Sequence, residues 1–202
     1  MTTVYFVRHA QTDYSNPIDA ERRLTEEGLE TRYKARDYLL SQKIPKEKVH
    51  IYSSSFRRAI DTVRPYADAM ELPIVACEEF REWSVIAPDN EYYHACKLAW
   101  EDFDYRYPQC ETLREVQKRN VDKLMELLLH HEGETIIIGS HGTALCTIIH
   151  YFNPAYDYED LLRIMDIKPW IVRFDFEGTE FKDYEEVFPI FLLKNRHKCF
   201  MI

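Results

Sequence analysis

Val4-Tyr5-Phe6-Val7-Arg8-His9-Ala10-Gln11-Thr12 reads as a buried strand that ends on an arginine and a histidine. An unbroken apolar run of this kind suits a strand covered on both faces, as in a parallel sheet. In open α/β sheets, ligands bind at the carboxyl ends of the strands. A histidine held there beside a guanidinium can attack phosphorus. Thr135-Ile136-Ile137-Ile138-Gly139 repeats the layout, and Ser140-His141-Gly142-Thr143 follows it. Two strands that each deliver a histidine at their end make a candidate site.

The rest of the chain supports that framework. Thr25 is a plausible N-cap for a helix running to about Ser41, with Leu29, Tyr33, Ala35, Leu39 and Leu40 as its apolar positions. Val49 to Ser53 and Leu72 to Val75 read as further strands. Phe56 to Met70 reads as a helix that Ser53-Ser54-Ser55 can cap. Asp13 to Arg23 is polar and reads as loop. Tyr92 to Phe103 looks helical within a long aromatic and charged insertion, about residues 78–110, typical of a substrate-binding lid. Glu111 to His131 is a helix with Leu113, Val116, Val121, Leu124, Leu127 and Leu128 on its apolar side, and Thr143 to Tyr151 is another. Trp170 to Phe176 and Glu180 to Val187, around Glu177-Gly178-Thr179, form a hairpin signal. The expected fold is α/β: one three-layer α/β/α domain over residues 1–202, with a mostly parallel sheet, a C-terminal hairpin and a helical insertion over the site. The apolar tail, Phe188 to Ile202, is expected to pack on the body and is a candidate homodimer surface.

Composition narrows the chemistry. The chain has 202 residues, 46% hydrophobic content, a net charge of -9 and a pI near 5.4. An acidic chain has no general attraction for nucleic acid or an anionic membrane, so any anion site must be a local cluster of basic groups. No apolar run approaches the length of a membrane span, and no signal peptide is visible. Five scattered cysteines, Cys77, Cys96, Cys110, Cys146 and Cys199, fit reduced thiols and a cytoplasmic location better than a disulfide framework. His130-His131 reads as the end of a helix, not as a metal site, and Cys146 and His150 as ordinary helix residues.

Three more segments join the histidines. Ser53 to Thr62 places Arg57 and Arg58 in the first turn of a helix, where the helix N-terminus and a bidentate guanidinium favour an anion. Phe80-Arg81-Glu82-Trp83 sets a carboxyl beside an indole, a setting for partial desolvation that favours the protonated acid. Glu111-Thr112 opens the long helix and reads as its acidic N-terminus or as a site carboxylate.

Taken in order, these motifs resemble the histidine phosphatase superfamily, also called phosphoglycerate mutase-like. Arg8-His9-Ala10-Gln11-Thr12 is similar to its Arg-His-Gly-Glu/Gln-Thr signature, and Leu24 to Gly28 to its Leu-Thr-x-x-Gly element. Arg58, directly before Ala59, matches the second phosphate arginine. Phe80-Arg81-Glu82 resembles the segment carrying the proton donor, Cys110-Glu111-Thr112 resembles Gly-Glu-Ser, and Ser140-His141-Gly142 matches the second histidine motif. The resemblance implies His9 as nucleophile, Arg8, Arg58 and His141 around the phosphoryl oxygens, and Glu82 as acid and then base. Gln11, Thr12, Ser15 and Thr143 are the implied substrate contacts. Arg106, in Tyr105-Arg106-Tyr107-Pro108, is similar to a sugar-bisphosphate contact of fructose-2,6-bisphosphatases; it could equally pair with Asp102 or Asp104. No metal and no cofactor are implied, because the arginines supply the positive charge.

Ala10 departs from the family's glycine, with strain expected only if φ is positive there. The insertion is short for a cofactor-dependent mutase. The leading expectation is therefore a metal-independent phosphomonoesterase acting on a small phosphorylated metabolite. A mutase-type phosphoryl transfer and a non-catalytic phospho-ligand-binding homologue are the alternatives.

Overall fold

The computed structural model describes residues 1–85 and 89–189. Six strands form one sheet: β1 (Thr2–Arg8), β2 (Val49–Ser54), β3 (Val75–Cys77), β4 (Thr135–Ser140), β5 (Trp170–Glu177) and β6 (Glu180–Phe188), in the order β3-β2-β4-β1-β5-β6. β1, β2, β3 and β4 are mutually parallel, and β5 runs antiparallel to both β1 and β6. The expected mostly parallel sheet with a C-terminal hairpin is what the chain forms. Val4, Phe6 and Val7 are fully buried because both faces of β1 are covered.

Among the described residues, six α-helices, α1 (Glu26–Ser41), α2 (Arg57–Met70), α3 (Asp89–Glu101), α4 (Leu113–His130), α5 (Gly142–Phe152) and α6 (Tyr158–Ile164), accompany the sheet. Alternation along β1 sorts two cores. Val4 and Phe6 pack with Leu113, Leu124, Leu128, Leu145 and Ile148 of α4 and α5. Tyr5 and Val7 pack with Ala35 and Leu39 of α1 and with Val63 and Tyr66 of α2. Each such fully buried leucine or phenylalanine stabilises the fold by about 2 kcal/mol from removed apolar area.

Several sequence expectations shift. α1 is capped by Thr25, whose side chain accepts from Gly28 N, but Leu29, Tyr33 and Leu40 are exposed and only Gly28, Ala35 and Leu39 are buried. Periodicity marks an apolar stripe without saying how wide a partner covers it. Gly28 is required here: a Cβ would lie 2.2 Å from the Gln11 carbonyl oxygen. α2 begins at Arg57 without a side-chain cap, so the serine triplet does not serve as one. The third strand lies at Val75–Cys77, after Leu72-Pro73-Ile74 rather than within it. α4 starts at Leu113 because Thr112 and Glu115 close a capping box. The polar 13–23 loop contains a 3-10 turn, Asp19–Glu21, and α6, begun by an Asp157–Asp160 capping box, had no sequence expectation.

Cys77, Cys96 and Cys146 are free and buried, and Cys110 is buried as well. Among the described residues, no helix is long and apolar enough to cross a membrane. The tail beyond Pro189, with its expected packing and dimer surface, lies outside the described residues.

Candidate active site

Register builds the site. β1 and β4 are parallel neighbours with Arg8 opposite Ser140, so the next residue on each strand is a histidine. His9 and His141 therefore meet edge to face, ring centroids 5.3 Å apart, and His9 N donates to Ser140 O. Both are buried. His9 Nδ1 lies 2.8 Å from Ala10 O and 3.0 Å from Thr12 Oγ1. The carbonyl can only accept, so Nδ1 carries the proton and Nε2 keeps its lone pair. Burial, then the charges of Arg58 and Arg8, holds the His9 imidazolium form well below the usual histidine range. Burial followed by Arg58 and His9 does the same for His141. Both rings are neutral across ordinary pH.

Ala10 sits without backbone strain, because its φ is not positive, and its N–H donates to Thr62 Oγ1 at 3.0 Å. Alanine therefore replaces the family's glycine at little cost. Thr12, expected to touch substrate, is buried with its Oγ1 3.0 Å from His9 Nδ1. Gln11 Oε1 accepts from Thr25 Oγ1 at 2.6 Å, tying the strand-end loop to the start of α1.

The two arginines are held differently. Arg8 donates its terminal nitrogens to the carbonyls of Ile164, Met165 and Ile167, which leaves its buried Nε without a partner. Gly142 permits this approach: a Cβ there would lie 3.0 Å from Arg8 Nη2. Arg58 forks Asp19, with Nη1 at 2.7 Å from Asp19 O and 3.0 Å from Oδ1, and Nη2 at 3.2 Å from Oδ2. Arg57 is exposed and pairs with Asp61, as a solvated helix residue does.

Ser54, at the end of β2, aligns His141. Its Oγ lies 2.8 Å from His141 Nε2 and also accepts from Phe56 N, leaving the buried His141 Nδ1 unpartnered and available. Glu82 reaches the N-terminus of α5, whose N-cap His141 supplies no side-chain cap. Glu82 Oε1 accepts from Trp83 N at 2.9 Å and Ala144 N at 3.0 Å, and Oε2 from Thr143 N at 3.2 Å. Backbone amides, not the indole, therefore surround this carboxyl. Trp83 Nε1 points away and donates to Glu111 O. Thr143 thus enters the site through its N–H.

Arg119 holds the loop that carries Glu82. It donates to the carbonyls of Glu79, Arg81 and Glu82 and to both carboxylate oxygens of Glu111. Glu111 also accepts from Arg81 and from Ser84 N, so it organises this segment. Arg106 is committed elsewhere: it binds Glu115 at 2.6 Å and Cys110 O at 2.8 Å, and neither Asp102 nor Asp104 is its partner. Ser15 is exposed and closes a turn with Asp13. The structure thus brings together Arg8, His9, Arg58, Glu82, His141 and Thr143, while Ser15 and Arg106 face other partners.

Asp19, Ser54, Thr62, Arg119 and Lys168 escape sequence reasoning, because each acts through a partner far away in the chain. Lys168 lies two residues before Trp170, which pairs with Arg8. Its half-buried ammonium sits 6.0 Å from the Tyr14 ring centroid, and no ion pair among the described residues engages it. Burial, then the charge of Arg8 and more weakly that of Arg58, pushes its pKa down.

A curated protein of Hydrogenobacter thermophilus, provisionally named phosphoserine phosphatase 2, is 27% identical over 164 residues, covering 74% of this chain and 77% of that protein. The Bacillus stearothermophilus YhfR structure superposes with a TM-score of 0.72 at 23% identity, covering 90% of this chain and 95% of that one. A phosphoserine phosphatase mutant from Entamoeba histolytica, solved with phosphoserine, gives a TM-score of 0.70 at 18% identity, covering 91% and 96%. The sequence profile described as histidine phosphatase superfamily (branch 1) matches residues 4–184, and the chain belongs to that superfamily.

Proposed function

We propose that the chain is a metal-independent phosphomonoesterase that acts on a small phosphorylated metabolite through a phosphohistidine at His9. The observation that carries this reading is the His9 ring: neutral, fixed through Nδ1 to Ala10 O, and with Nε2 free beside two guanidinium groups. In the first step the Nε2 lone pair forms a bond to phosphorus and the ester P–O bond breaks. Arg8 Nε, Arg58 and His141 Nδ1 take up the charge that builds on the phosphoryl oxygens. Glu82 Oε2, the oxygen with a single amide donor, is the proton carrier for the departing alkoxide. In the second step Glu82 takes a proton from water, whose oxygen bonds to phosphorus as the P–N bond breaks. Inorganic phosphate leaves and His9 returns to its starting state. Lys168 offers a cation just outside this group, which favours substrates with a second anionic substituent.

Hydrolysis of p-nitrophenyl phosphate in EDTA tests the proposal. Turnover is expected in the native chain and absent in His9→Ala. No turnover with phosphate still bound would instead identify a phospho-ligand-binding protein. Transfer between the positions of phosphoglycerate, primed by the bisphosphate and faster than release of phosphate, would identify a mutase.

A further inference from the structure

At the opposite end of the parallel strands, a second group of side chains converges. His50 is the second residue of β2, Glu134 directly precedes β4, and His131 is the C-cap of α4. Six-residue strands place this group about 20 Å from His9 and His141. His50 Nε2 lies 2.6 Å from Glu134 Oε2, and His131 Nδ1 lies 3.3 Å from the same oxygen. The two rings stack with centroids 3.7 Å apart and planes at 25°. Both imidazoles thus place a nitrogen against the same Glu134 carboxylate oxygen.

The geometry points to a binding site for one divalent transition-metal ion of the zinc type, held by His50 Nε2, His131 Nδ1 and a Glu134 carboxylate oxygen. All three ligand atoms lie within 4.8 Å of one another. Tetrahedral bonds of about 2.05 Å separate ligand atoms by about 3.4 Å, so side-chain adjustments of less than about 2 Å close the site. Two imidazoles and one carboxylate suit zinc, nickel, cobalt or copper rather than magnesium or calcium, which prefer oxygen ligands. His131 is already oriented from behind: its Nε2 lies 2.8 Å from the Tyr52 hydroxyl, the kind of outer hydrogen bond that ligating histidines carry. Gly133, at φ 76°, makes the tight turn that lets His131 and Glu134 face the same point, and Glu134 N donates to His131 O across it. The side chains of His50 and Glu134 are about one third exposed, which leaves room for water to complete the coordination. His130 takes no part, since its Nδ1 bonds Glu126 O. The ligands come from the start of β2, the end of α4 and the approach to β4. A bound ion would therefore pin these three elements together, far from the phosphoryl chemistry and independent of it.

The test uses the full chain, stripped with EDTA and dialysed, with ZnCl2 and CoCl2 as probes. Calorimetry should show zinc bound, with one equivalent of it lost in His131→Ala and in Glu134→Gln. At a hundredfold excess over Kd, zinc should raise Tm by about 5 °C in the native chain and not in either variant. Cobalt should give visible d–d bands that disappear with the same substitutions. Glu134→Gln keeps the size of the side chain and its capacity to hydrogen-bond, so its native Tm without metal guards against loss of folding as the cause. Absence of binding by the native chain, or a stoichiometry unchanged in both variants, would overturn the proposal. Activity is not the readout, so failure here leaves the phosphatase reading standing, and the reverse holds too.

Discussion

Arg58 presents its fork to Asp19, and a phosphoryl group needs that same fork. Asp19→Asn should therefore strengthen anion binding. The carboxylate contributes two charge-assisted contacts, at 3.0 and 3.2 Å, while the contact with Asp19 O belongs to the backbone and survives the substitution. Hydrogen bonds to charged groups contribute about 1.5–3 kcal/mol. Here Arg58 is only 5% exposed in its side chain but Asp19 is 40% exposed, so water screens the pair. Measured surface pairs reach about 1 kcal/mol at most, and the half-exposed fork falls near that upper end. Removing the competitor should therefore tighten phosphate by about 1 kcal/mol, or about fivefold.

The assay is competitive inhibition of p-nitrophenyl phosphate hydrolysis by inorganic phosphate, at low and high salt. The inhibition constant should fall about fivefold in Asp19→Asn, and the gap should narrow as salt screens the native pair. Asp19 also binds Arg22, so the loop retains an anchor only through its backbone once the carboxylate is gone. An inhibition constant that rises, or stays level at every salt concentration, would refute the reasoning. It would mean that Asp19 presents Arg58 to the phosphate instead of competing for it.

His9 and His141 are depressed below the unfolded histidine value near 6.5, so the unfolded chain binds more protons than the folded one as pH falls below that value. Stability should be complete above about pH 6.5 and decline below it by up to about 1.4 kcal/mol per pH unit for each histidine, as urea titrations at several pH values will read. A flat profile between pH 6.5 and 5 would contradict two neutral buried rings. Ser54→Ala strands His141 Nε2, at a cost of about 1–3 kcal/mol. It should lower kcat about tenfold or more with a smaller change in KM, and Ser54→Thr should rescue it. Glu82→Gln should leave the first step intact for p-nitrophenyl phosphate, whose leaving group needs no proton, while slowing release of phosphate about a hundredfold or more. Rapid mixing should then show a burst of nitrophenolate, and its absence would remove Glu82 from the water step.

The sheet was legible because its evidence is local. Val4 to Val7 and Ile136 to Ile138 are apolar runs that suit a doubly covered strand, and each hands its histidine to the same end of the sheet. The remaining parts depend on pairs that no local pattern announces. Asp19 meets Arg58 across 39 residues, Ser54 meets His141 across 87, and Arg119 reaches back to Glu79 and Glu82. α6 leaves no periodic mark in the sequence because seven residues are too few to show one, and its start is signalled only by Asp157 and Asp160. Arg106 shows the opposite case. Its place in a familiar tetrapeptide suggested a ligand contact, yet Glu115, nine residues later on α4, claims its guanidinium. Motif position fixes where a side chain starts, and the neighbouring helix decides where it ends.

The positive charge at this site performs two tasks that usually conflict. Arg8, Arg58 and Lys168 gather at the carboxyl end of the parallel strands in a chain whose net charge is -9. Before ligand arrives, the charge of the two arginines, added to burial, suppresses protonation of His9 and His141, and the nucleophile keeps its lone pair. When an anion binds, it offsets those same charges, and the penalty for an imidazolium falls. His141 can then accept a proton or share positive charge as the phosphoryl oxygens gain electron density. Linkage turns this into a measurable sign. Binding of sulfate, which does not titrate near neutrality, should draw protons into the protein at pH 6, and calorimetry in buffers of different ionisation enthalpy counts them. Proton uptake that disappears in His141→Asn would assign the effect to that ring. Release of protons, or no exchange in the native chain, would mean that burial alone sets the histidines and that the arginines act on the phosphoryl group only.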